Sequence, residues 1–149
     1  MNRRALLALL PLAACGPTPP PPAVLDLSIS AGPDQNPDVT GRPAPVAVRV
    51  FYLTATAKFE RADVFALTER EAATLGADSM GSEEFVLRPG ETRAINRLPK
   101  PGVQFLGVAV LFRDIDRARW RAVAPVAASG PTKLQLATAG IRVTLAPGA

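Results

Sequence analysis

The single cysteine of this 149-residue chain, Cys15, is its only thiol, and the chain has no histidine. One thiol cannot close an internal disulfide or build a thiolate metal cluster. Without histidine, the commonest general base and the commonest transition-metal ligand are both absent, which excludes Ser-His-Asp, Cys-His and His-zinc sites. Carboxylates remain. Asp34, Asn36 and Asp38 alternate as in the opening of an EF-hand, but Val39 stands at the glycine position and Pro45 at the bidentate glutamate position, so the calcium pattern fails. Glu83 and Glu84 are adjacent; on a strand they point to opposite faces and cannot form an acid/base pair. Asp114 and Asp116 read as solvated turn carboxylates, available to pair with Arg113, Arg117, Arg119 and Arg121 around Trp120. No Gly-rich phosphate loop or cofactor fingerprint occurs. These exclusions argue against an enzyme, and no cofactor or metal is implied.

The fate of Cys15 is set by what precedes it. Arg3 and Arg4 form a positive start, and Ala5 to Ala14 is almost wholly apolar. That stretch is far shorter than the roughly 20 residues a membrane-spanning helix needs. It reads as a secretory signal peptide, and Leu12-Ala13-Ala14-Cys15 resembles a bacterial lipobox, in which the cysteine is thioether-linked to diacylglycerol and becomes the new N-terminus. Gly16 fits delivery to the outer membrane. The chain therefore divides into a lipoprotein signal peptide (1–14), an acylated cysteine with a proline-rich tether (15–23) and a folded domain (24–149). Five of the six residues from Pro17 to Pro22 are proline; as polyproline II at about 3.1 Å per residue, this spacer gives a reach of roughly 20 Å. Removing Arg3 and Arg4 leaves 15 Lys+Arg against 13 Asp+Glu, too balanced a charge to imply nucleic acid. With one Trp, one Tyr and six Phe, a base-stacking platform is not expected either.

The domain reads as β. Leu25, Leu27 and Ile29 alternate with Asp26, Ser28 and Ser30, the pattern of a half-buried strand. Val46–Leu53 is β-branched and aromatic, and Phe85–Leu87 and Thr92–Leu98 flank the turn signal Pro89-Gly90, as in a hairpin. Val103–Phe112 is apolar on both faces and is expected at the centre of a sheet covered on both sides. Arg119–Ala124 is a further strand, and Lys133–Thr138 and Ile141–Ala146 form a closing hairpin about Ala139-Gly140. Seven or eight short strands argue for a two-sheet sandwich. Between the second and third, Lys58–Leu75 has helical spacing, with Phe59 and Phe65 expected to pack on the sandwich. Thr68 and Glu71 are placed as a capping box, and Gly76 as a helix end. The segment Ala31–Pro45 has four prolines, two glycines and no hydrophobic period. A loop that long is uncommon and often functional, and its prolines lower the entropy lost on docking.

Five features occur together in order: the lipobox at Cys15; the strand Leu25–Ser30; Asn36-Pro37-x-x-x-Gly41-Arg42-Pro43-x-Pro45 running into Val46-x-Val48-Arg49-Val50-Phe51-Tyr52-Leu53; Phe59-x-x-Ala62-Asp63-x-Phe65-x-Leu67; and Pro89-Gly90-Glu91, followed later by Gly107-Val108-Ala109, Phe112-Arg113-Asp114 and Trp120-Arg121. Over Cys15 to about Leu145 the chain resembles the TssJ (SciN, VasD) family, the outer-membrane lipoproteins of the type VI secretion system. The resemblance implies a mainly β, transthyretin-like sandwich with one or two short inserted helices. It also implies attachment to the periplasmic face of the outer membrane through Cys15. The implied partner is the periplasmic C-terminal region of TssM, an inner-membrane protein that works with TssL. Contact is implied through the loop between the first two strands, with Asp34, Gln35, Asn36, Asp38 and Arg42 as exposed contact residues held out by Pro33, Pro37 and Pro43. The alternative is an outer-membrane lipoprotein that binds a small ligand or peptidoglycan fragment, which calls for an aromatic-lined pocket supplied by Trp120 and Tyr52.

Overall fold

The computed structural model describes residues 15–149. The signal peptide assigned to residues 1–14, including Leu12, Ala13 and Ala14 of the lipobox, lies outside the described residues. Eight strands are present among the described residues: β1 (Ala23–Ala31), β2 (Val46–Leu53), β3 (Ser79–Leu87), β4 (Thr92–Arg97), β5 (Phe105–Val110), β6 (Arg121–Pro125), β7 (Gly130–Ala139) and β8 (Arg142–Pro147). They form two four-stranded sheets, ordered β4-β1-β7-β8 and β3-β2-β5-β6. The ladders are antiparallel except that β1 runs parallel to β7, from Ala23 opposite Gly130 to Ala31 opposite Thr138.

Alternation along β1 buries Leu25, Leu27 and Ile29 against the facing sheet, where they meet Val48, Val50 and Leu106. β2 divides its side chains between two cores: Val48 and Val50 face the other sheet, while Phe51 and Leu53 lie under the helices with Phe59, Leu67 and Leu75. β5 is buried on both faces, as its unbroken apolar run requires. The helical segment is three short helices, α1 (Ala57–Arg61), α2 (Val64–Glu69) and α3 (Glu71–Leu75), followed by a 3-10 turn. Phe59 sits over Gly107, where an added Cβ would come within 2.9 Å of both its ring and Leu53. The ring also meets Phe51 at a centroid distance of 5.3 Å.

Several local expectations change. Phe65 is 55% exposed, because α2 turns Val64 and Leu67 inward instead. Thr68 and Glu71 form no capping box. The Thr68 hydroxyl donates to the Val64 carbonyl, α2 is capped by Asp63 accepting from the Ala66 N–H, and Glu71 accepts from Ser79 and Ser82 and lies 3.7 Å from Arg49. Gly76 does end α3, at a φ of 53°. Pro89-Gly90 does not close a hairpin: β3 pairs with β2 and β4 with β1, so the turn steps from one sheet to the other. Glu83 and Glu84 diverge as the strand period demands. Glu84 binds Arg49 on the helix side, whereas Glu83 takes two hydrogen bonds from Arg97 of β4 and one from the Tyr52 hydroxyl. That cluster joins the two sheets at one edge. The opposite edge is joined by backbone, with Arg119 N–H donating to Ile141 and Val143 N–H donating to Arg119, each at 2.9 Å.

Phe59→Ala is expected to cost about 3–5 kcal/mol, and Gly107→Val about 1–3 kcal/mol by overpacking; urea denaturation measures both. The Arg97 guanidinium holds the Glu83 carboxyl below its ordinary 4.5, and burial raises the Tyr52 hydroxyl. The stabilisation from Glu83 is therefore full above about pH 4.5 and is lost as the pH falls through its lower folded value. Glu83→Gln should melt earlier than wild type at pH 7, with the gap closing on acidification. A gap that stays constant with pH would contradict this account.

Candidate functional site

β1 ends opposite Thr138, β4 begins opposite Ser30, and β5 ends opposite Val48. The β1–β2 loop, the β3–β4 turn, the β5–β6 segment and the β7–β8 turn thus gather at one end of the sandwich. The proline-rich segment enters at the other, where the Pro21 and Pro22 carbonyls accept from Gly130 N–H at the start of β7. Cys15 is exposed beyond them. The intervals between the 9 residues of β1, at about 3.3 Å each, separate the two ends by roughly 26 Å.

The base of the loop is pinned. Gly32 N–H donates to the Thr138 carbonyl, and a Cβ at Gly32 would come within 2.5 Å of that oxygen. Gln35 is fully buried; its Nε2 donates to Leu87 (2.9 Å) and Ala44 (3.2 Å), and its Oε1 accepts from the Thr138 hydroxyl (2.5 Å). Asn36, in the left-handed region at φ 49°, donates from Nδ2 to Pro45 and from its backbone to Gly140. Its Oδ1 accepts from Arg113 N–H at 2.8 Å. These two residues join the loop to β3, β7, the β7–β8 turn and the β5–β6 segment. The expectation that Gln35 and Asn36 are exposed contacts is corrected on this point. A proline-rich loop offers its returning backbone few N–H donors, and inward-facing amides satisfy the carbonyls that the fold leaves at this end.

Beyond this base the tip projects. The Asp38 carboxylate accepts from the Thr40 hydroxyl and from the N–H groups of Thr40 and Arg42, and Gly41 supplies the turn at a φ of 84°. Those hydrogen bonds, led by the Thr40 hydroxyl, hold Asp38 below its ordinary 3.8. Asp34 and Arg42 are exposed, as expected, and so are Thr40 and Pro43. Val39 is 82% exposed. It is the one large aliphatic residue between Ala31 and Val46, and this was the signal that sequence reasoning passed over. Under the tip, Pro37, Asp38 and Val39 face Arg113, Asp114, Arg117 and Ile141 across a groove of about 750 Å³. The calcium-like triplet is dispersed: Asn36 points inward and Asp38 binds its own turn. Among the described residues no cluster of three or more acidic or thiol side chains could hold a metal.

The arginines around Trp120 do not simply pair with Asp114 and Asp116. Arg117 binds Asp114, whereas Arg121 lies 4.1 Å from the Trp120 ring centroid and donates to the Phe59 and Glu60 carbonyls. Trp120 packs against both cores, and Tyr52 is tied to Glu83 beside a groove of about 250 Å³. Among the described residues, Tyr52 lines that groove and Trp120 does not.

Gln35→Ala leaves the Leu87 and Ala44 carbonyls and the Thr138 hydroxyl without their partner and should cost about 1–3 kcal/mol. Val39→Ala should fall within about 0.5 kcal/mol of wild type. Chemical denaturation of the two variants side by side tests whether the loop base, and not its tip, is structural.

The family model for type VI secretion lipoproteins (VasD, EvfM, TssJ) matches residues 23–146. Among solved structures, the chain is similar to the T6SS lipoprotein TssJ1 from Pseudomonas aeruginosa at 35% identity and a TM-score of 0.84, covering 87% of this chain and 98% of that one. It shares its fold with Serratia marcescens Lip, a membrane-bound component of the type VI secretion system, at 22% identity and a TM-score of 0.77 over 86% and 99% of the two chains. It also matches a chain in a structure of the T6SS protein TssM C-terminal domain from EAEC at 27% identity and a TM-score of 0.67, over 85% and 99%. No curated protein sequence matches. Nearly the whole folded domain is covered by the family model, and the sandwich superposes on TssJ1 over almost all of that chain; the chain belongs to the type VI secretion lipoprotein family.

Proposed function

We propose that this lipoprotein is a structural tether of the type VI secretion membrane complex. In this reading acyl chains on Cys15 hold it to the periplasmic face of the outer membrane, and the tip of the β1–β2 loop docks on the periplasmic C-terminal region of TssM, which works with TssL. Family membership supports the secretion role, and the match to a chain in a TssM C-terminal-domain structure supports the partner. The single observation that carries the docking site is the pinned, projecting loop at the end of the sandwich remote from Cys15.

The division of labour is mechanical. Two acyl chains bind a bilayer stably where one is marginal, at about 0.8 kcal/mol per buried CH₂. The prolines give reach with limited slack. Asp38, Val39 and Arg42 are the contact residues at the tip, Asp34 is an exposed contact residue at the loop base beside Gly32 and Gly140, and Gln35 and Asn36 serve by holding the loop. Because Asp38 is already bound by its own turn, the tip meets its partner with little left to order.

Cys15→Ser should yield a folded protein that binds TssM and leaves the membrane fraction. Recovery of that variant in outer membranes, in cells lacking TssM, would refute the acyl tether. Val39→Asp combined with Arg42→Glu should weaken binding to the TssM C-terminal region at least tenfold while the melting temperature holds. Unchanged affinity would remove the tip from the interface.

A further inference from the structure

Arg119 and Arg142 face each other across a parallel bridge between the segment entering β6 and the first residue of β8. Neighbouring strands in a ladder lie about 4.8 Å apart, so the two side chains start from adjacent positions. Both residues are exposed. Among the described residues, neither side chain makes an ion pair, whereas nearby Arg117 is matched by Asp114. Like charges placed directly opposite one another are destabilising, and the fold gains nothing visible from having both. With Arg117, Ala139 and Ile141, the pair lines a cleft of about 250 Å³.

That cleft adjoins the groove under the loop tip, since Arg117 and Ile141 line both. It lies beside the β7–β8 turn, at the end remote from Ala23 and Cys15. Lipid headgroups around the acyl chains would be at the opposite end of the sandwich, so the cleft faces the partner and not the bilayer. Two unmatched guanidinium groups carried on adjacent backbone positions suit carboxylates, which they can bind by paired, charge-assisted hydrogen bonds.

We infer that the cleft of Arg119 and Arg142 receives an acidic segment of the docking partner, which runs from the loop tip along the groove and ends on these two arginines. The inference rests on the docking function proposed above and extends its footprint beyond the β1–β2 loop.

The test uses full-length protein purified in detergent and the TssM C-terminal periplasmic region of the same host, with affinity measured across a salt series. Arg119→Gln with Arg142→Gln should weaken binding at least tenfold at low salt and flatten its salt dependence. The melting temperature of that variant should hold or rise, since the opposed charges are gone. Arg119→Lys with Arg142→Lys should restore the salt dependence. If wild type binds and the double Gln variant binds equally well, the cleft inference is overturned and the loop-tip interface stands. If wild type does not bind TssM at all, the docking function and the inference fall together.

Discussion

The parallel ladder between β1 and β7 is the constraint from which the rest of the architecture follows. Parallel neighbours cannot be joined by a tight turn, and here everything between them in sequence is used to build the second sheet, the helices and β4. The pairing sets β1 between β4 and β7, so it is held along both edges. It also carries the chain from the proline-rich segment at one end of the sandwich to the loop at the other. A pull between Cys15 and the loop tip would act along β1 and load both ladders in shear. A strand at a sheet edge would be loaded on one ladder alone.

The second organising element is a pair of buried amides. A loop of fourteen residues with four prolines has few backbone donors and no apolar residue facing the core until Val46. Hydrophobic burial cannot anchor it. Gln35 and Asn36 do so by hydrogen bonds to segments drawn from across the chain, and among the described residues no buried side-chain polar atom lacks a partner. In a low-dielectric environment such bonds are strong when complete and costly when broken. The loop is therefore a fixed projection of the sandwich, and its freedom is confined to the short tip closed by Asp38.

Much of this could be read from residue order. Period-two alternation locates β1 and β8, β-branched and aromatic content locates β2, and the unbroken apolar run locates β5, because burial on one face or two leaves a direct trace in composition. The misreadings share a cause. Pro89-Gly90 signals a turn but not which sheet the chain enters next. Helical spacing places Phe59 and Phe65 alike, yet only Phe59 finds Gly107 beneath it. Thr68 and Glu71 satisfy a local capping pattern, but Arg49, Ser79 and Ser82 compete for Glu71.

Sequence by itself determined the strands apart from the first six residues of β3, the position of the long loop, the absence of histidine chemistry, and the single cysteine behind an apolar leader. Each depends on residue type and near-neighbour spacing. Only the tertiary structure decided that Gln35 and Asn36 face inward, that Val39 stands at the tip, and that Arg119 and Arg142 share a cleft. Those assignments require partners between 50 and more than 100 residues away for Gln35, and others 77 and 23 residues away for Asn36 and Arg119. A polar residue in a proline-rich segment looks solvent-facing until the fold brings unsatisfied carbonyls to meet it.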